Sequence, residues 1–155
     1  MVGKATTRDI SIELIAKECI AVRLRVLTRA VTKLYNKALR PYGLTVSQMN
    51  ILVAVSCFGD AKPQEVCRVL HLDKSSLSRD VERMHAQGWL ESFSGEDGRT
   101  GLLRISPTGT KLLKKTFPAW QRAQEQVTAL LGEREIGVLG RAVATLRAKN
   151  RTTQI

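Results

Sequence analysis

The chain has 155 residues, 43% of them apolar, and a formal net charge of +11. One domain that buries about two-thirds of its unfolded surface is the default at this size. No run of about eighteen apolar residues occurs, so no membrane span is expected.

The start, MVGKATTRDIS, lacks an apolar core and a small-residue cleavage site, which argues against a secretory leader. Cys19, Cys57 and Cys67 are an odd count without metal-like spacing, and a reducing cytoplasm suits them. The excess charge favours a polyanion partner, but its distribution is uneven. Residues 1–45 hold nine Lys/Arg against three Asp/Glu, residues 46–105 seven against eight, and residues 106–155 nine against three. Both ends are strongly basic and the middle is nearly neutral.

Residues 1–10 are patternless and read as a loose arm. A long helix is predicted from Ile10 to about Arg40. In it Ile20, Leu24, Leu27, Val31, Leu34 and Ala38 repeat at fours and threes, which is a heptad seam. Arg29, Lys33 and Lys37 form a basic stripe on other faces, read first as solvated, with phosphate contact as the alternative. Pro41 and Gly43 stop this helix. Thr45 and Gln48 form a capping box for the next one, which runs to Phe58 with Met49, Leu52, Val53 and Ser56 or Cys57 turned inward. Gly59-Asp60 signals a turn.

A short helix then opens at Pro63, with Val66, Val69 and Leu70 as its inner face. Asp73 stands where the N-cap of a further helix belongs. Leu77, Val81 and Met84 make that helix's apolar face, and the opposite side carries Ser75, Arg79 and Glu82 flanked by Ser76, Ser78 and Arg83. Gly88 can end it in a left-handed conformation. WLESF and LLRIS read as two strands around SGEDGRTG, a glycine-rich hairpin tip that carries Arg99. Helix, turn, helix with outward donors, then a hairpin with an arginine at its tip outlines a DNA-reading winged helix-turn-helix.

Ser106-Pro107 opens another long helix, with Leu113, Phe117, Trp120, Val127 and Leu131 as its apolar set and Gln124 as the one interruption. Pro118 is a candidate kink. Gly132 breaks it, Ile136, Leu139, Val143 and Leu146 continue the spacing in a last helix, and RAKNRTTQI reads as a polar tail.

DKSSLSRDVERMHAQGWLE and EDGRTGLLRISPTG resemble the recognition helix and wing of MarR-family transcriptional regulators. That family's wing carries Asp-x-Arg, five variable residues, an aliphatic-Thr pair and a Gly three residues on. Here Asp97, Arg99, Ile105-Ser106 and Gly109 hold those places, with Ser in place of Thr. RPYGLTVSQMNIL resembles the family's entry into its second helix through Leu44-Thr45 and Gln48.

The fold class expected is mainly α with a small two- or three-stranded β-wing, a winged helix-turn-helix flanked by long dimerisation helices. Residues 1–155 form one domain, with a winged DNA-binding region at 45–106 and a helical dimerisation region at 10–44 and 107–149. Two heptad seams flanking a small reader point to an intertwined homodimer through Ile20, Leu24, Leu27, Val31, Leu139, Val143 and Leu146, and the resemblance implies the same.

Arg99 suits a narrow minor groove, with Asp97 placed to hold its guanidinium. Ser75, Ser76, Ser78, Arg79 and Arg83 are the donors for phosphates or base edges in the major groove. The resemblance implies a repressor on a pseudo-palindromic operator of double-stranded DNA. It also implies release by a small, aromatic or phenolic effector between the dimer helices and the reader. Cys19 is a candidate redox switch, although a buried small hydrophobe is the simpler role. Cys67 and His71 stand at a metal-competent spacing without a third ligand, so no metal is expected. No cofactor fingerprint or catalytic motif occurs, and no enzyme is expected. From another class, a winged-helix protein-interaction module stays open.

Overall fold

The computed structural model describes the backbone of residues 7–95 and 101–152 and the side chains of 11–95 and 101–149. In chain order it holds α1 (Thr7–Glu18), α2 (Ile20–Leu39), a single 3-10 turn (Arg40–Tyr42), α3 (Val46–Phe58), α4 (Pro63–Leu70) and α5 (Lys74–Ala86). Then come β1 (Leu90–Ser94), β2 (Gly101–Ile105), α6 (Pro107–Leu131) and α7 (Glu133–Thr152). No helix among the described residues is long and apolar enough to cross a membrane.

The first long helix is in fact two. Cys19 interrupts it in an extended conformation (φ −63°, ψ 108°) without a side-chain cap. Arg23 folds back over the break, its Nη2 donating to Lys17 O at 2.6 Å and to Glu18 Oε2 at 3.2 Å. A cation on the last carbonyls of α1 compensates for the lost helical bonds there. Helix also begins at Thr7, within the stretch expected as a loose arm, and α7 takes in all but the last residues of the expected polar tail.

The core is centred on α3. Its capping box forms as expected, with Gln48 N donating to Thr45 Oγ1 at 3.2 Å and Thr45 N to Gln48 Oε1 at 3.1 Å. The buried face is Gln48, Met49, Ile51, Leu52, Ala54 and Val55, while Val53, Ser56 and Cys57 are exposed. The helix is apolar nearly all round, so spacing could not choose its inner face. On α4, Val66 is buried and Val69 is not, and Cys67 and Leu70 pack beside the core instead. His71 caps α4 with a left-handed φ of 51°.

On α6 the expected apolar set holds in part: Val127 is buried and Leu113 and Trp120 pack against the core, but Phe117 does not turn inward. The buried residues are Gly109, Thr116, Ala119, Ala123 and Val127, while Phe117 is exposed and stacks on Trp120. Small side chains let α2 approach α6 closely. Gln124, the interruption, accepts a hydrogen bond from Tyr35 Oη on α2. Burial raises the Tyr35 phenol above its ordinary pKa, so it remains a donor at neutral pH. Pro118 lies within one continuous helix.

The sheet is a two-stranded antiparallel hairpin, with Leu90 opposite Ile105 and Ser94 opposite Gly101. Ala61 adds a single bridge to Leu103, its N–H and C=O both paired at 2.9 Å.

Candidate nucleic-acid interface

The start of α5 is held by one carboxylate. Asp73 accepts from Ser75 Oγ at 2.5 Å and from Ser76 Oγ and Ser76 N at 2.7 Å each. The Ser75 hydroxyl, then the Ser76 hydroxyl and amide, hold its pKa well below the usual carboxylate range. Leu77 and Met84 anchor the helix in the core, with Val81 partly buried beside them. The two serines expected as DNA donors therefore already spend their protons on Asp73. Sequence spacing could not show this competition.

Ser78, Arg79, Glu82 and Arg83 are exposed on the outer face of α5. Arg79 Nε rests on Ser75 O at 3.3 Å. Arg83 Nη1 lies 4.0 Å from Asp80 Oδ1, whose carboxylate also accepts from Ser47 Oγ at 3.1 Å. Asp80 thus fastens α5 to the first turn of α3, a link the sequence did not disclose.

The hairpin is fastened to the same frame at three points. Arg104 donates to both oxygens of Asp60 and lies over the Phe93 ring at 4.4 Å. Ser106 Oγ donates to Gly88 O at 2.6 Å and accepts from Gly109 N at 2.9 Å, so it joins the end of α5 to the start of α6. Gly109 packs against the Trp89 backbone with no room for a side chain. Sequence reasoning missed Asp60 and Arg104, because nothing local relates positions 44 apart. Asp97 and Arg99 lie outside the described residues.

A cleft of about 490 Å³ opens between α4, α5 and the strands. Cys67, Leu77, Val81 and Leu103 are among its apolar lining residues, and Lys62 and Lys74 are its cationic ones. The seam residues Ile20, Leu24, Val143 and Leu146 are exposed, and Leu27, Val31 and Leu139 are half-buried. Cys19 is half-buried at the α1–α2 break.

The MarR family model matches residues 42–100, which run from the end of the 3-10 turn through α3, α4, α5 and β1. Residues 42–100 therefore resemble the MarR family. The multiple antibiotic resistance protein MarR of Salmonella typhimurium is 27% identical to it over 109 residues, covering 69% of this chain and 76% of that protein. A mutant MarR from E. coli complexed with operator DNA superposes with a TM-score of 0.76 at 20% identity, covering 86% and 96% of the two chains. The M. tuberculosis transcriptional regulator MOSR in complex with DNA gives 0.73 at 26%, covering 89% and 100%. The segment that the family model matches holds most of the winged helix-turn-helix, and both solved structures superpose on more than four-fifths of this chain.

Proposed function

We propose that this protein is a transcription regulator that binds a pseudo-palindromic operator as a homodimer and acts as a repressor. The observation that carries the reading is the exposed Ser78–Arg79–Arg83 face of α5, on a helix capped by Asp73 and fixed to the hairpin frame. Such a face fits a major groove, where arginine pairs with guanine. Arg99 and Asp97, from the segment between the two strands, are the residues assigned in this reading to the adjacent minor groove. Complexes of two relatives with DNA support the same reading.

Residues 10–44 and 107–149 form the dimerisation region in this reading, and the partly exposed seams pair between two copies to space the reading helices about 34 Å apart. The effector is a small aromatic anion. The cleft beside α5 supports it, since its apolar lining suits a ring and Lys62 and Lys74 suit a carboxylate or phenolate. A ligand there needs only to favour a non-binding arrangement of α5 by a few kcal/mol.

The test is a titration of Arg79→Ala, Arg99→Ala and Asp97→Ala against a duplex selected by the wild-type protein and a scrambled duplex. Arg79→Ala should cost about 1–3 kcal/mol on the selected site and relax one base-pair position per half-site. Arg99→Ala should weaken all sequences and lower the salt slope by about one unit. Asp97→Ala should reproduce part of the Arg99→Ala loss. Wild-type binding by Arg79→Ala and Arg99→Ala together would overturn the reading.

A further inference from the structure

We propose that the outer face of α2 is a second phosphate-binding surface, which takes the backbone of duplex DNA outside the segment read by α5. The proposal rests on the DNA-binding reading above and adds a site to it.

Arg25, Arg29, Lys33 and Lys37 follow one another four residues apart on α2, and Arg40 stands three residues further on, at the helix C-cap. All five are exposed. At 100° and 1.5 Å per residue they fill an arc of about 120° and a length of about 22 Å. The same helical geometry puts the seam Ile20, Leu24, Leu27, Val31, Leu34 and Ala38 about 160° away. A dimer joined through that seam leaves the stripe facing outward.

The helix contains no acidic residue at all. Arg23, the sixth cation, is engaged at the end of α1 by Glu18. Among the described residues none of the other five meets a carboxylate within ion-pair distance, whereas Arg83 and Arg104 each do. Like charges one turn apart repel, and no acidic partner in the described chain offsets that repulsion. A polyanion laid along the stripe would.

The charge of the reader argues for the same partner. Residues 46–105 carry seven Lys/Arg against eight Asp/Glu, so the segment that touches bases contributes no net positive field. Non-specific affinity for a duplex comes from counterions displaced by cations. Both flanking segments are basic, and α2 sets its cations in one continuous row with no acidic residue on the helix. The extended length of the stripe suits a backbone that presents a phosphate about every 3.4 Å along each strand.

The test uses the full chain and three duplexes: one selected from a random pool by the wild-type protein, and random-sequence duplexes of about two and four helical turns. The variant replaces Arg25, Arg29, Lys33 and Lys37 together with Gln, a good helix former. It should lower the slope of log affinity against log salt by about two to four units on the long duplex, and leave the preferred base sequence unchanged. Arg25→Lys with Arg29→Lys should keep the wild-type slope. Should the fourfold variant lose its helical circular dichroism, Lys33→Gln with Lys37→Gln is read instead, with an expected fall of about one to two units. A wild-type slope in the Gln variants overturns the second surface and leaves the reader intact. Failure of the wild-type protein to bind any duplex overturns both.

Discussion

Arg104 on β2 donates from Nε and Nη2 to the two carboxylate oxygens of Asp60, each at 2.7 Å, across 44 positions of sequence. The pair is half-exposed, and surface ion pairs are weak unless bidentate and well ordered. This one is bidentate, stacks on Phe93, and stands beside the Ala61–Leu103 bridge. It ties the turn after α3 to the strand that leads out of the hairpin.

Asp60→Asn should therefore loosen the hairpin locally and leave global unfolding little changed. The expected result is faster amide exchange at Ala61 and Leu103 with a nearly unaltered Tm. The Arg104 hydrogen bond, then its charge, lowers the Asp60 pKa from the ordinary value. The folded value is depressed, so the tie is complete above the ordinary carboxylate pKa of about 4 and is lost as pH falls through the lower folded value. Equal protection of the two amides in wild type and Asp60→Asn at neutral pH, corrected for intrinsic exchange, would contradict this.

Ser106 and Gly109 make a second junction that can be tested by stability. A Cβ on Gly109 would sit 2.9 Å from Ile105 Cγ1 and well inside contact distance of the Trp89 carbonyl oxygen. A backbone atom cannot swing aside, so Gly109→Ala should cost about 1–3 kcal/mol or more in denaturant unfolding. Ser106→Ala removes the cap of α6 and leaves Gly88 O without its hydroxyl donor, at a cost of about 1–2 kcal/mol. Ser106→Thr keeps both bonds and should be close to neutral.

The seams, exposed at Ile20, Leu24, Val143 and Leu146 and half-buried between, set the expectation for assembly. Leu27→Glu combined with Leu139→Glu should give a monomer in sedimentation and abolish cooperative binding to a palindromic duplex. A monomeric variant that binds that duplex at full strength would refute the dimer.

Cys19 occupies the break between α1 and α2 as a half-buried residue without a capping bond. A structural role predicts that Cys19→Ala responds to peroxide as wild type does, measured by release of bound duplex. Loss of a strong wild-type response on that substitution would make Cys19 the sensor.

Local order was legible in the sequence because caps and turns depend on neighbours. Asp73, the Thr45–Gln48 box, Ser106-Pro107 and the left-handed Gly88 and Gly132 each satisfy or release backbone groups within a few residues, and all five stand where their residue types place them. The exposure of Ser78, Arg79 and Arg83 followed from the period of α5 for the same reason. Tertiary packing decided what periodicity leaves degenerate. Apolar residues surround α3, so only its neighbours chose Ile51 and Val55 over Val53 and Cys57. On α6 close approach by α2 selected Ala119 and Ala123 for burial and left Phe117 outside. Tyr35 with Gln124 and Asp60 with Arg104 are pairs between distant elements, formed only when the fold brings their polar groups within hydrogen-bonding reach. The Asp73 carboxylate likewise claims the Ser75 and Ser76 hydroxyl protons through bond geometry, which residue type alone does not reveal.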